Sequence, residues 1–308
     1  MTRRRSTPAI GALSAALHTS VRPWHRDELE SQWSRRTLNE AIRLGFAARL
    51  APGIYAHRDH AVDLTCRLRA VALWMAPHGL VSGRAALQLS GWQAADAARI
   101  DVVLPRDLRL ARPHYVDVLR TDQQWEADAV DGIPVTSPED AVVVAWRRSA
   151  PDDRRGLLLD ALRDGVVNVA RLRRRIEAHG RLPRRAEMLA LVALSEQGVT
   201  TVLEHIAATE VFVGPDWARW ERQAPVRLSD GVTLHPDMLH RRARVAVELD
   251  GARYHSDDAA RRADVERDAL LAAEGYTVIR LTWEDVTRRP AWCREKLLAA
   301  VRARVALR

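Results

Sequence analysis

Cysteine, lysine and aromatic residues are scarce in this 308-residue sequence, and long apolar runs are absent. Its two cysteines, Cys66 and Cys293, form neither a CxxC pair nor a Cys/His cluster with zinc-finger spacing, which argues against a disulfide framework. No uncharged apolar stretch approaches the roughly 18 residues that a membrane-spanning helix needs. These absences predict a globular protein that works in a reducing cytoplasm and does not enter a membrane.

The charge balance is basic, because 48 Lys and Arg stand against 40 Asp and Glu and give a formal net charge of +8. Such an excess favours a polyanionic partner, since basic side chains contact phosphates and release counterions. Nucleic acid is therefore the first partner to consider. Only one of the basic residues is lysine, Lys296, so GC-rich coding DNA is an alternative reason for the arginine content, although not for the positive excess.

Three short helices and a hairpin are predicted for a first domain at residues 1–60. The helices cover residues 7–18, 25–33 and 34–44, and short strands at 46–50 and 54–56 flank a turn. This order completes a helix-turn-helix with a wing, which is a DNA-binding arrangement.

The third of these helices has the composition of a recognition helix. Its apolar residues can pack on one face while its polar residues meet phosphates or base edges on the other. A three-helix packing module with a solvated arginine face explains the same pattern. The predicted DNA contacts on this helix are Arg35, Arg36, Thr37, Asn39 and Arg43.

A second domain is predicted at residues 61–182, where helices and short apolar strands alternate. The predicted helices are 63–75, 83–89, 138–147 and 152–164, and the predicted strands are 101–104 and 115–119. No catalytic constellation is apparent in this region. His57, before it, and His114, within it, are interpreted as isolated surface or hydrogen-bonded residues. The Pro- and Arg-rich residues 180–185 are the expected linker to the next domain.

The last domain, residues 186–308, reads as an α/β unit whose sheet is flanked by helices. The expected elements are a helix at 186–210, strands at 232–239 and 245–250, a helix that runs through 274, and a strand at 276–281. The whole chain is accordingly predicted to be α/β, or α+β overall, with a three-layer C-terminal core.

Acidic residues cluster on two of these strands. In the strand at 245–250, Glu248 and Asp250 share one face because strand side chains alternate, and a hairpin in suitable register would add Asp237. Grouped carboxylates repel one another unless a cation neutralises them, and Mg²⁺ favours oxygen ligands of this kind. Acidic residues on the wet face of an amphipathic strand are also commonplace. Glu204 on the preceding helix and His255, a candidate general acid or base, make the combination more specific.

A family resemblance rests on the segment HPDMLHRRARVAVELDGARYH, followed by RxDVxRD and GYTVIRLTWEDV. Residues 190–305 resemble the bacterial family known as domain of unknown function 559, which is similar to the very short patch repair endonucleases of the PD-(D/E)XK superfamily. The resemblance implies that Asp237 and Glu248 ligate Mg²⁺, or alternatively Mn²⁺. It also implies that Glu204, Asp250 and His255 are active-site positions. Arg267, on the following helix, is predicted to contact DNA.

The position two residues after Glu248 departs from the superfamily pattern. The usual lysine is Asp250 here, and a carboxylate cannot supply the lysine's positive charge. Two alternatives remain: His255 helps to activate a metal-bound water, or the site binds without cleaving.

The first half is similar, more loosely, to the AbiEi-type antitoxin family, whose members carry an N-terminal winged helix. The matching segments are SRRTLNEAIRLGFAARLAPGIYA, VSGRAALQLSGW and DGIPVTSPEDA. This resemblance implies DNA binding and identifies no catalytic residue.

The leading hypothesis is a Mg²⁺-dependent endonuclease that hydrolyses double-stranded DNA in defence or repair, with homodimer formation left open. The alternative is an antitoxin-like DNA-binding regulator with a catalytically silent nuclease fold. An RNA-directed nuclease or a toxin component is a third hypothesis, since carboxylate and metal chemistry does not distinguish DNA from RNA.

Overall fold

The computed structural model describes residues 6–93, 95, 97–196, 198–199, 201–250 and 258–306. The chain divides into two compact units. The first comprises Met1–Ser149 with Glu177–Arg181, and the second comprises Ala150–Ile176 with Leu182–Arg308. The chain thus enters the second unit after Ser149, returns to the first at Glu177 and passes to the second again after Arg181. The linker expected at 180–185 stays a prediction. The finer division at residues 1–60, 61–182 and 186–308 stays a prediction.

The N-terminal part of the first unit contains the three predicted helices and the predicted hairpin. The elements are α1 (Ser6–Thr19), β1 (Trp24–His25), α2 (Arg26–Gln32), α3 (Arg35–Arg43), β2 (Ala47–Ala51) and β3 (Ile54–His57). The strands pair antiparallel in the order β1-β3-β2, so the short strand β1 is an addition to the predicted hairpin.

Helix α3 begins where its sequence predicts. The Ser34 hydroxyl accepts the backbone N–H of Thr37 at 3.1 Å and so caps the helix N-terminus. Leu38 and Ala41 are fully buried in a cluster with apolar residues of α1, and Ile42 packs against this cluster. One face of α3 therefore packs against this cluster, and the face that carries the arginines is exposed.

The remainder of the first unit is a five-stranded mixed sheet with helices. Its elements are α4 (Leu64–Met75), β4 (Leu80–Ser82), α5 (Gly83–Leu89), β5 (Ile100–Pro105), β6 (Val116–Thr121), β7 (Ala127–Val130), β8 (Ile133–Thr136) and α6 (Pro138–Arg148). The strand order is β6-β5-β4-β8-β7. The sequence did not predict β4, β7 or β8, because β4 has only three residues and β7 is largely exposed and lacks an apolar alternation.

From residue 150 onward the chain is helical first and then mixed. The elements are α7 (Pro151–Arg163), α8 (Val169–Ala178), α9 (Arg185–Ser195), α10 (Val202–Ile206), β9 (Glu221–Arg222), β10 (Val226–Arg227), β11 (Thr233–Leu234), β12 (Met238–His240), β13 (Val245–Asp250), α11 (Asp258–Ala273), β14 (Thr277–Thr282), α12 (Trp283–Arg288) and α13 (Pro290–Ala306). The main sheet has the order β14-β13-β12-β9 and is parallel between β13 and β14 and antiparallel elsewhere. These mixed sheets and helices confirm the predicted α+β class.

Two predicted elements of this unit are wrong. The single helix at 186–210 is divided into α9 and α10, because Gly198 adopts a φ of +90° and Thr201 then caps a new helix. The single strand at 232–239 is divided into β11 and β12, which belong to different sheets. Pro236, which has no backbone N–H to donate, lies between the two strands.

Candidate active site

Antiparallel pairing of β12 with β13 brings the predicted metal ligands together. Met238 lies opposite Val247, so the same register continued by one residue places Asp237 opposite Glu248. Asp237 itself immediately precedes the first residue of β12. The sequence predicted that it lies within the strand, and that prediction is wrong. Cross-strand neighbours of this kind have closely spaced side chains.

The alternation predicted for β13 is confirmed. Val245 and Val247 lie in one apolar cluster, and Ala246 lies in a second cluster on the opposite side of the sheet. Glu248 and Asp250 therefore belong to the face of Ala246, as expected for a period of two.

The Asp237 carboxylate is held by two donors. Its Oδ2 atom accepts the backbone N–H of Leu249 at 2.6 Å, and its Oδ1 atom accepts from the Gln223 side-chain amide at 2.7 Å. The sequence did not identify Gln223, because no local motif connects it with Asp237, 14 residues later. These bonds fix the orientation of the carboxylate.

The Glu248 carboxylate is buried, with 8% of the residue exposed. Its Oε1 atom accepts from Nε of Arg267 at 3.1 Å, and Arg267 also donates to the backbone carbonyl of His235 at 2.5 Å. Arg267 was predicted as a DNA contact, which stays a prediction. Arg267 forms a salt bridge with Glu248 and so partly neutralises the carboxylate pair.

The carboxylate pair has raised pKa values. Burial raises the pKa of Asp237 to about 6, although the Leu249 N–H counteracts the rise, and the charge of Glu204 adds to it. Burial, and next the Asp237 charge, raise the pKa of Glu248 to about 7. A nearby divalent cation would favour the charged forms of both carboxylates and lower their pKa values.

Glu204 contributes to this site from α10. The residue is buried, and its carboxylate accepts from the Thr201 hydroxyl at 2.9 Å at the start of the helix. Its negative charge contributes to the raised pKa of Asp237. The predicted first-helix acidic residue thus lies near the pair, on a shorter helix than expected.

Asp250 has a cationic partner on the adjacent parallel strand. The Arg280 guanidinium lies 2.9 Å from its Oδ1 atom and donates to both oxygens of Asp268 at 2.8 and 3.0 Å. The sequence did not identify Arg280 as a site residue. Its placement on β14, opposite Glu248 in the strand register, was a usable signal only once the pairing was known. His255, the remaining predicted site residue, lies outside the described residues.

The metal chemistry of the site depends on two carboxylates. Within the described ranges, sets of three His, Cys, Asp or Glu ligand atoms close enough to share an ion occur at His18, His57 and Asp59, and not at the predicted active site. A pair of carboxylates still fits Mg²⁺, which typically takes one or two and completes its octahedron with water and phosphate oxygens.

The predicted DNA contacts on α3 differ in their environments. Arg35, Arg36 and Asn39 are exposed. Arg43 is also exposed, but it donates to both oxygens of Glu40 at 2.9 and 2.5 Å. Thr37 is half-buried, and its hydroxyl forms a hydrogen bond with the Ser34 hydroxyl at 2.9 Å. Its side chain thus already has a partner at the N-terminus of the helix.

The mixed sheet thus holds an acidic pair where β12 meets β13, with Asp237 just before β12 and Glu248 on β13. Residues 219–301 match the family REase_MTES_1575, a restriction-endonuclease-like domain. The matched range includes all four strands of the main sheet and both carboxylates of the pair, whereas Glu204 precedes it. No curated protein matches the chain. The C-terminal part of the chain therefore carries a restriction-endonuclease-like domain.

Proposed function

We propose that this protein is a metal-dependent nuclease that hydrolyses phosphodiester bonds of double-stranded DNA. The observation that carries the proposal is the pair Asp237 and Glu248, which have raised pKa values and face each other where β12 pairs with β13 in a restriction-endonuclease-like domain. In this proposal both carboxylates hold Mg²⁺, or Mn²⁺ in its place. The excess of basic residues over acidic ones supports a nucleic-acid substrate.

The chemistry that a bound ion would supply is a water of lowered pKa and neutralisation of charge on the leaving oxygen. The protein's contribution is to position the ligands before the ion arrives. Asp237 is already oriented by Leu249 and Gln223. Arg267 donates to Oε1 of Glu248. A bound ion would either displace this guanidinium from the oxygen or bind the oxygen beside it.

The missing lysine has a partial replacement in this proposal. Arg280 faces Asp250 and stands opposite Glu248 in the strand register, so it brings positive charge to the position where the lysine would act. A guanidinium remains protonated at any physiological pH, and it therefore orients and neutralises phosphate oxygens but does not accept a proton.

The test is a cleavage assay with supercoiled plasmid, linear double-stranded DNA, single-stranded DNA and RNA, each with Mg²⁺, Mn²⁺ or EDTA. We expect metal-dependent cutting of double-stranded DNA that Asp237→Ala abolishes. Preferential cutting of RNA would change the assigned substrate. Cutting that is equal in the parent and in Asp237→Ala would remove Asp237 from the mechanism.

A second candidate is a DNA-binding regulator whose nuclease fold is silent, as in the antitoxin-like alternative. The observation that favours it is the pairing of Glu248 and Asp250 with Arg267 and Arg280, which neutralises acidic groups without a metal. This candidate predicts tight, metal-independent DNA binding through Arg35 and Arg36, and no cleavage in any arm of the same assay.

The proposed setting is a bacterial defence or repair role in the cytoplasm. Cys66 and Cys293 are both buried free cysteines, which supports a reducing compartment. None of the helices that the structure describes has the length and hydropathy to cross a membrane.

A further inference from the structure

The tripeptide His-Arg-Asp occurs twice in the first unit, at residues 25–27 and 57–59. In both copies Nδ1 of the histidine accepts the backbone N–H of the aspartate at 3.3 Å and also lies 3.3 Å from its Oδ2 atom. The first copy caps α2, and the second caps a 3₁₀ turn at Arg58–His60. Helix capping therefore accounts for the His–Asp pair in each copy.

Two further imidazoles join the second copy, and capping does not account for them. His18, in the last turn of α1, has its Nε2 atom 3.9 Å from Oδ2 of Asp59, and its ring centroid lies 4.8 Å from that of His57. The His60 ring lies 5.6 Å from His18 and 5.9 Å from His57. The interpretation of His57 as an isolated histidine is therefore wrong, because the ring of His18, at the end of α1, packs against it in the fold.

We infer that His18, His57 and Asp59 form a binding site for a divalent transition-metal ion of the zinc class. Their ligand atoms all lie within 4.8 Å of one another. In a tetrahedral site with metal–nitrogen bonds of about 2.0–2.1 Å, ligand atoms are separated by about 3.4 Å. Asp59 Oδ2 lies 3.3 Å from Nδ1 of His57 and 3.9 Å from Nε2 of His18, and both separations are close to this value. An ion bound by Nδ1 of His57 would take the lone pair that accepts the Asp59 backbone N–H, so metal binding would replace that hydrogen bond.

The ligand set determines which ions the site takes. Two imidazoles with one carboxylate suit Zn²⁺, Co²⁺, Ni²⁺ and Cu²⁺, whereas Mg²⁺ and Ca²⁺ prefer oxygen ligands alone. The site is thus chemically distinct from the Asp237–Glu248 pair. Three protein ligands leave the remaining coordination positions for water or for a group of another molecule.

His60 supports the site without being needed as a ligand. Its Nε2 atom lies 2.8 Å from the backbone carbonyl of His18, so it ties the end of α1 to the turn that carries Asp59. A metal ion would strengthen the same connection between α1 and the end of β3. Because the ligands come together only in the folded unit, metal binding would stabilise the fold.

The experiment uses the full chain after EDTA treatment and dialysis. Zn²⁺ binding is measured by calorimetry, and Co²⁺ binding by visible absorption, for the parent, His18→Ala, Asp59→Asn and the control His25→Ala. His25→Ala is the control because it removes an exposed histidine from the other His-Arg-Asp copy. The 62% exposure of the His18 side chain and the 60% exposure of Asp59 allow both substitutions without a packing change.

We expect His18→Ala and Asp59→Asn to lose at least about tenfold in Zn²⁺ affinity, and His25→Ala to retain the parent value. Zn²⁺ should raise the melting temperature of the parent and of His25→Ala but not of His18→Ala, and a large excess of Mg²⁺ should not compete. Equal Zn²⁺ affinity in the parent and His18→Ala, or no binding by the folded parent, would overturn the proposal. Glu248→Gln should leave Zn²⁺ binding unchanged, so the result is independent of the nuclease proposal.

Discussion

The Asp237 carboxylate accepts the backbone N–H of Leu249 at 2.6 Å, across the pairing of β12 and β13. Leu249 directly follows Glu248, so this bond fixes the Asp237 carboxylate against the peptide unit that joins Glu248 to Leu249. The same carboxylate takes a second hydrogen bond from Gln223. Asp237, at the residue before β12, is therefore held against β13 by these two hydrogen bonds, which give the acidic pair the rigidity that a metal site requires.

Gln223→Ala should shift the pH dependence of cleavage without abolishing cleavage. The Gln223 amide lowers the pKa of Asp237, so its removal raises that pKa and moves the acidic limb of the profile to higher pH. The measurement is the cleavage rate from pH 5 to 9 at saturating Mg²⁺. Gln32→Ala, at the exposed end of α2, is the control. A uniform fall in rate with an unmoved profile would assign Gln223 a merely structural role.

In the metal-free protein, the contribution of Asp237 and Glu248 to the free energy of unfolding should fall as the pH rises from about 4 to about 7. The pKa values of Asp237 and Glu248 are raised in the folded state to about 6 and about 7, so folding favours their protonated forms. Their contribution is present at low pH and is lost as the pH rises through the folded-state values. Subtracting the urea stability of Glu248→Gln from that of the parent, in EDTA, isolates the Glu248 contribution.

The difference in free energy of unfolding between the parent and Glu248→Gln should fall by on the order of 2 kcal/mol between pH 5 and pH 8. Mg²⁺ at pH 8 should restore stability to the parent and much less to Glu248→Gln. A difference that stays constant with pH would contradict the raised pKa of Glu248.

Arg280→Ala should destabilise the protein by about 2 kcal/mol, because it leaves two half-buried carboxylates without their shared cation. Adding Asp250→Asn should recover part of the loss, since one of the two negative charges is then removed. Urea unfolding provides the measurement. Arg288→Ala, which breaks an exposed pair with Glu284, should cost less than about 0.5 kcal/mol. Equal losses for the two arginines would show that Arg280 is an ordinary surface residue.

Arg35→Ala with Arg36→Ala should weaken DNA binding and reduce its salt dependence. Removing one phosphate-binding arginine should lower the slope of log affinity against log salt by about 0.9. Arg43→Ala, on the same helix, should have a smaller effect because Glu40 already neutralises Arg43. Fluorescence anisotropy at several salt concentrations tests this. Unchanged affinity in the double variant would remove α3 from the DNA interface.

Strand β13 was predictable from the sequence because its period-two alternation is a local property. Val245, Val247 and the acidic residues on the opposite face follow directly from that period. The cap of α3 at Ser34 was equally local. Register was not local, however, and the proximity of Asp237 to Glu248 could be stated only as a condition on the hairpin.

The errors have physical causes that a periodic pattern does not reveal. The apolar pattern continues through Gly198, although its positive φ ends the helix there. Pro236 interrupts a stretch that otherwise alternates as a strand. Arg280 lies beside Asp250, 30 positions away, and His18 lies beside Asp59, 41 positions away, and no spacing rule predicts either contact.

The nuclease proposal is tested most directly by the rate of Mg²⁺-dependent cleavage of double-stranded DNA by the parent, Glu248→Gln and Glu221→Gln. Glu221 is an exposed carboxylate on β9 of the same sheet, paired with Arg241, and it is the matched control. We predict a loss on the order of 100-fold or more for Glu248→Gln and a near-parent rate for Glu221→Gln. Equal rates for parent and Glu248→Gln would contradict the proposal.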